Sequence, residues 1–206
     1  MFDMGKVLVG YDAMLVCGHF IEKPEDRERV CTAVFTSLEW VLLDMGVISE
    51  EQALKQMCSR LPEHLREAAR LCMRDWDQYN MWPVQEMEPI IRELKKRGFG
   101  IYLCSNASER LLTCYEKVIP ATDCFDGMLF SAEVKCIKPQ KEMYQHLFDR
   151  FGLKPEECFF IDDLPSNIEG SRACGMDGYC IADGNIEKLK AVLDKMPDVR
   201  EDEQVC

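Results

Sequence analysis

The chain has 206 residues, 47% of them hydrophobic, enough for one sizeable core with a small accessory unit. Its formal net charge of -12 at pH 7 would repel a phosphate backbone at long range, and no basic run offsets it, so nucleic acid is not an expected partner. No run of about 18 apolar residues appears and the start lacks a charged-then-apolar leader, so neither a membrane span nor a secretory signal is expected.

The opening MFDMGKVLVGYD sets Asp3 among apolar residues and a glycine, as at the exit of a buried strand. Only Met1 and Phe2 precede it, short of the about five residues of a typical strand. Either a clipped start or an unusually short strand is expected. From Glu22 to about Tyr79 the pattern is helical. Val30, Val34, Leu38, Val41 and Leu42 recur at spacings of three and four, and Gly46 can stop this first helix. Ser49 with Gln52 is a capping box for a second helix. Pro62 separates it from a third, Glu63 to about Tyr79. Helices without an intervening strand form a compact insertion, closed by Trp76, Tyr79, Met81 and Trp82, aromatics read as core before ligand box.

Beyond Pro83 helix and strand alternate. Val84 to Lys96 is a helix ended by Gly98, GIYLCSN a buried strand, Ser108 to Val118 a helix, and Gly127 to Ser131 a strand. Gln140 to Phe151 is a helix closed by Gly152. In CFFIDDLPSN, Phe159 to Ile161 form a short buried strand, Asp162 and Asp163 stand where it meets a loop, and Pro165 opens the next helix. A strand around Gly178 to Ile181 and a helix from Ile186 to Met196 complete the pattern, with a charged tail from Pro197. This alternation implies a parallel sheet covered on both faces, with ligands at the carboxyl ends of its strands.

Twelve cysteines are many, but none forms a CxxC pair, so zinc-ligand and redox spacings are absent. Most lie in apolar stretches, where a free thiol acts as a small hydrophobe. The reading is a reducing, cytoplasmic setting. His19, His64 and His146 show no ligand spacing and are read as structural or solvent-facing.

Four polar signatures fall at the ends of elements on one edge: Asp3, Ser105 with Asn106, Lys138 before Pro139, and Asp162 with Asp163. Neighbouring aspartates repel unless a cation or donor network neutralises them, and a hard ion such as Mg²⁺ is the simplest partner. A carboxylate to attack phosphorus, with a cation, a hydroxyl and an amide to hold the equatorial oxygens, is the set that phosphoryl transfer needs.

On these segments the chain resembles the haloacid dehalogenase-like (HAD) superfamily along essentially its entire length. FDMGKVL is similar to its first motif, LCSN to its second, the lysine of IKPQKEMYQH to its third, and FIDDLPSNIEGSRACG to its fourth. The nearest likeness is to the branch with sugar-1-phosphate phosphatases and the N-terminal phosphatase domain of epoxide hydrolases. The resemblance implies an α/β fold: a Rossmann-like parallel sheet core (1–13 and 83–200), a small inserted α-helical cap (14–82) and a tail (201–206). It implies a phosphatase acting on a small phosphorylated metabolite through a phosphoaspartate at Asp3. Lys138 would neutralise charge and orient Asp3, with Ser105 and Asn106 on phosphate oxygens. Mg²⁺ would be held by Asp3, the Gly5 carbonyl and Asp163, with Asp162 supporting directly or through water, and Asn167 bracing the acidic loop.

Much of the superfamily has a second aspartate two positions after the nucleophile, acting as acid and base, where this chain has Gly5. A placed general acid is worth about 10²–10⁴ in rate, so its absence favours esters with easily departing alcohols, glycosyl 1-phosphates among them. The same gap leaves open a catalytically impaired binding or regulatory protein of this fold, and it weakens a phosphomutase reading. Dehalogenation, which needs no metal, is disfavoured by the acid pair. An alternative register makes KVLVGYDAML the first strand, with Gly10 in the nucleophile position and Asp12 as the orphaned second acid.

Overall fold

The structure, a computed structural model, describes residues 1–199. Residue 200 and the tail expected at 201–206 lie outside the described residues. In chain order the elements are β1 (Val9–Tyr11), α1 (Met14–Phe20), α2 (Pro24–Phe35), α3 (Leu38–Asp44), α4 (Glu50–Ser59), α5 (Glu63–Tyr79) and β2 (Met81–Pro83). Then follow α6 (Met87–Lys96), β3 (Tyr102–Ser105), α7 (Leu111–Cys114), β4 (Gly127–Phe130), α8 (Ser131–Val134), α9 (Lys141–Phe151), β5 (Phe159–Asp162), α10 (Pro165–Ala173), β6 (Asp177–Cys180) and α11 (Ile186–Leu193).

β3 pairs in parallel with β4, and β5 with β6. Phe2 bridges the two pairs, lying parallel to Leu103 on one side and Ile161 on the other. The sheet order is therefore β4, β3, the Met1–Asp3 segment, β5, β6. The Met1–Asp3 segment, for which the sequence predicts either a clipped start or an unusually short strand, lies at the centre of the sheet. It holds because both neighbours supply its bonds: Phe2 N donates to Tyr102 O (2.9 Å), Cys104 N to Phe2 O (3.0 Å), Asp3 N to Ile161 O (2.8 Å) and Ile161 N to Met1 O (3.0 Å). Phe2 itself is 1% exposed, a burial worth roughly 1.5–3 kcal/mol.

Side chains alternate across this sheet with the period of two that strands impose. Phe2, Leu103, Phe130 and Ile161 pack into one apolar cluster, whereas Cys104, Leu129 and Phe160 join Tyr144, Leu147 and Ile168 in another on the opposite face. Both faces are covered, which is why these strands read as continuous apolar runs. The first cluster runs without interruption into the helices, through Val30, Met57, Cys72 and Trp76.

Helices α1–α5 leave and rejoin the chain through an antiparallel ribbon, β1 with β2, in which Gly10 faces Trp82. The single helix expected between Glu22 and Gly46 is two. The chain breaks at Thr36, and Ser37 restarts it by accepting from Trp40 N (3.3 Å). A side-chain cap of this kind offers the backbone a better local partner than a continued helix. α1 was not legible as a helix, and the helix expected over 108–118 shrinks to α7 and a 3₁₀ turn, Tyr115–Lys117.

Candidate active site

Three strand ends meet at one edge of the sheet. Asp3 leaves the central segment, Ser105 ends β3 and Asp162 ends β5. Because β3 and β5 flank the centre on opposite sides, this edge is the crevice in which open α/β sheets place ligands.

Lys138 reaches the same edge from the loop between α8 and α9. Its backbone is clamped by Asn106, whose Nδ2 donates to Lys138 O (3.0 Å) and whose Oδ1 accepts from Lys138 N (2.8 Å). The Lys138 side chain, 1% exposed, donates to Asp3 Oδ1 (2.6 Å) and Asp162 Oδ2 (2.7 Å). Its ammonium stands 5.0 Å from the Phe160 ring centroid, a cation–π contact. Burial disfavours the charge, but Asp3 and Asp162 outweigh it and hold Lys138 above the ordinary lysine range.

Asp162 is fully partnered. Oδ1 accepts from Leu164 N (2.8 Å) and Asn167 Nδ2 (2.9 Å), and Oδ2 from Asn167 Nδ2 (3.0 Å) in addition to Lys138. Asn167 is fixed in turn by the Tyr144 hydroxyl, which donates to its carbonyl (2.7 Å). By contrast Lys138 uses Oδ1 of Asp3, and among the described residues no side-chain donor meets the half-buried Asp163 carboxylate. Oxygens of Asp3, Asp162 and Asp163 lie within 4.8 Å of one another. Burial first, and Asp162 with it, pushes Asp3 up to about 6 against the pull of Lys138. Asp163 is raised for the same two reasons, with Lys6 and Lys138 opposing. Carboxylate oxygens crowded in this way, two of them open, fit a hard oxygen-seeking cation such as Mg²⁺.

Among the other residues singled out from sequence, Ser105 is buried at its strand end and does not line the cavity beside the acids, whereas Asn106 and Gly5 do. The alternative register fails. Gly10 lies in the ribbon, where a Cβ would strike the Trp82 ring at 2.2 Å, and exposed Asp12 accepts from Met14 N (2.8 Å) at the start of α1. His19 stacks on Tyr79, and His64 and His146 are exposed. Tyr79 lies in that stack and Trp82 is 46% exposed on the ribbon; of the four closing residues Trp76 and Met81 reach the cavity.

That cavity, about 240 Å³, runs from Asp3, Lys138 and Asp163 toward α3 and α5. Its walls bring in Tyr11, Trp40 and Asp44, which sequence reasoning passed over. Asp44 carried one signal: it is an acid at the carboxyl end of an apolar helix, where the helix dipole disfavours it. Burial pushes its carboxyl up to about 8, against the Ser108 amide.

A family model for haloacid dehalogenase-like hydrolases matches residues 20–175. The chain belongs to the haloacid dehalogenase-like hydrolases. The match begins after Asp3, so that residue's place in the site rests on the geometry above. The chain is 25% identical to a sesquiterpene phosphatase of Aspergillus oryzae over 89% of each chain. It is 30% identical to a phosphoserine phosphatase of Thermus thermophilus over 56% of this chain and 46% of that one. Among solved structures, a HAD-like family hydrolase from Porphyromonas gingivalis superposes with a TM-score of 0.69 at 21% identity, covering 95% of this chain and 97% of that one. A HAD family enzyme from Bacteroides thetaiotaomicron, in complex with magnesium and inorganic phosphate, gives 0.66 at 19% identity, covering 87% and 91%. These likenesses show a Rossmann-like α/β HAD fold. Among the described residues no helix is long and apolar enough to cross a membrane, and the eleven cysteines found there are free.

Proposed function

We propose that this hydrolase is a Mg²⁺-dependent phosphatase for a small phosphorylated metabolite, working in the cytoplasm through a phosphoaspartate on Asp3. The observation that carries this is Lys138 joined to both Asp3 and Asp162, with Asp3 Oδ2 and Asp163 left open beside it. Lys138 fixes the Asp3 carboxylate and neutralises charge at the phosphoryl group. Asp3 attacks phosphorus and the bond to the alcohol oxygen breaks. The alcohol departs as an anion, which takes a proton from water once it leaves the site, since Gly5 supplies no acid. Water then attacks phosphorus, freeing inorganic phosphate and restoring Asp3.

The Asp3 carboxylate, the Gly5 carbonyl and Asp163 would hold Mg²⁺, with Asp162 supporting through its bond to Lys138. When bound, the ion supplies charge neutralisation and polarisation of a phosphoryl oxygen. Asn106 acts chiefly on Lys138 and lines the cavity, while the buried Ser105 supports it from the strand end. Helices α1–α5 act as the cap, covering the alcohol portion and excluding solvent. Relatives whose names specify a sesquiterpene phosphatase and a phosphoserine phosphatase support the reaction class while differing in substrate.

The second reading, a binding protein of the same fold, is favoured by Gly5 alone. Phosphate release from para-nitrophenyl phosphate separates the two. The proposal expects release that EDTA abolishes and Asp3→Asn lowers by at least about 10³-fold. Release indifferent to both changes, or none at all, would refute it.

A further inference from the structure

The walls of the cavity between the acids and the helices are carbon: Met4, Val9, Trp40, Met81, Leu111 and Leu164. Its volume of about 240 Å³ falls below the roughly 300–1,000 Å³ of pockets for drug-sized ligands. Away from the phosphoryl end, where Lys6 and Asn106 lie, its polar groups are Tyr11, Trp76 and Asp44. The Trp76 indole N–H and the Tyr11 hydroxyl are buried without a hydrogen-bond partner among the described residues. Tyr11 has the Asn80 amide beside it, close enough to oppose the shift though short of a formed bond, and burial first, with nearby Asp44, pushes its hydroxyl upward. Among the described residues no side-chain donor meets the Asp44 carboxyl, which faces the Ser108 amide, and the Asp44 carbonyl is tied to the core by the Ser131 hydroxyl.

Buried polar atoms are ordinarily satisfied within the protein. Two unpaired buried atoms on one apolar cavity, beside a carboxyl whose one protein donor is the Ser108 amide, are therefore groups held for a ligand. A sugar fits poorly, because each of its several ring hydroxyls needs a partner and these few groups cannot serve them all among carbon walls.

We propose that this cavity takes the compact, largely apolar or aromatic alcohol of a phosphate monoester, and that Asp44, Tyr11 and Trp76 receive one hydroxyl carried on it. This rests on the phosphatase reading and replaces the glycosyl 1-phosphate expected from the sequence. Asp44 and Tyr11 are specificity residues in it, remote from the reacting bond.

The test is KM and kcat/KM, with Mg²⁺, for hexyl phosphate, its ω-hydroxylated analogue, phenethyl phosphate, its para-hydroxylated analogue and glucose 1-phosphate. The apolar esters should show a KM at least about tenfold below that of glucose 1-phosphate, since the cavity acts on binding and the missing acid on kcat, and a hydroxylated member should exceed its parent in kcat/KM by a similar factor, as in sites built to bond a hydroxyl. Asp44→Leu should bring that second ratio toward one, and Tyr11→Phe is the parallel variant should the first not fold. A lower KM for glucose 1-phosphate, or a hydroxyl ratio near one in the natural protein, overturns the inference while any turnover that depends on Asp3 keeps the phosphatase reading. If no ester is hydrolysed, the corresponding phosphonates are titrated against Trp40 and Trp76 fluorescence. Binding selective for the hydroxylated phosphonate retains the cavity assignment and discards the reaction, and absence of binding discards both.

Discussion

Replacing Lys138 with methionine keeps the bulk of its side chain and removes its charge. In the natural protein one buried ammonium answers two carboxylates at 2.6 and 2.7 Å. After the change, Asp162 keeps Leu164 N and the Asn167 amide, but Asp3 loses the donor on Oδ1. Breaking a buried ion pair by removing one partner costs about 3–5 kcal/mol, because a charge is left uncompensated. The partnering that survives on Asp162 limits the loss to that range even though two pairs are broken. Against a whole-domain stability of about 5–15 kcal/mol, the variant should fold but be marginal. Urea unfolding followed by circular dichroism, in EDTA at pH 7.5, gives the difference directly. The double variant with Asp3→Asn should recover part of it, since the stranded charge is removed. A loss below about 1 kcal/mol, or no recovery in the double variant, would show that Lys138 does not neutralise these acids.

Phe2→Ala should cost about 3–5 kcal/mol by urea unfolding, since it empties the centre of the sheet, and should lower phosphate release through Asp3 beside it. A cost below about 1 kcal/mol would mean that Phe2 is not central. At Gly5 a Cβ would sit 4.0 Å from Asp3 Oδ2, ordinary contact distance. Gly5→Asp should therefore fold and raise kcat on alkyl phosphates by at least about tenfold, toward the about 10²–10⁴ of a placed acid. An unchanged kcat on those esters would count against the missing-acid argument. Because the folded pKa of Asp44 is raised above its ordinary value of 3.8 to about 8, the stability linked to it is full below pH 4 and is lost as pH rises through 8. Asp44→Asn should accordingly gain stability over the natural protein at pH 8.5 and not at pH 4, read from melting temperatures. An equal difference at both would contradict the burial of that carboxyl.

Local chemistry made much of this fold legible. The Ser49–Gln52 capping box forms with bonds of 3.2 and 3.0 Å, Gly152 closes α9 at φ +63°, and Pro165 opens α10. Each is a short-range signal whose physics needs no tertiary partner. The central strand shows what such signals leave out. Met1 to Asp3 is too short to be a strand alone and becomes one because Tyr102, Cys104 and Ile161 bond to it across the sheet. In the site, carboxylates at strand ends were readable from their positions. Asn167, expected to brace the acidic loop, bonds Asp162, whereas the role of Asn106 on the Lys138 backbone depends on which atoms meet, which spacing does not encode. The cavity was hidden for a related reason: Tyr11, Trp40, Asp44 and Trp76 come from a ribbon and two helices, and only packing gathers them.

The claim on which the rest depends is that Asp3 carries the phosphoryl group. Acid-quenching the protein during turnover of an activated phosphate ester with Mg²⁺, then mapping its peptides by mass, tests it most directly. A phosphoryl group on the Asp3 peptide, lost on hydroxylamine treatment and absent from Asp3→Asn, is predicted. Sustained phosphate release with Asp3 unmodified at every quench time, or the group on another residue, would contradict it.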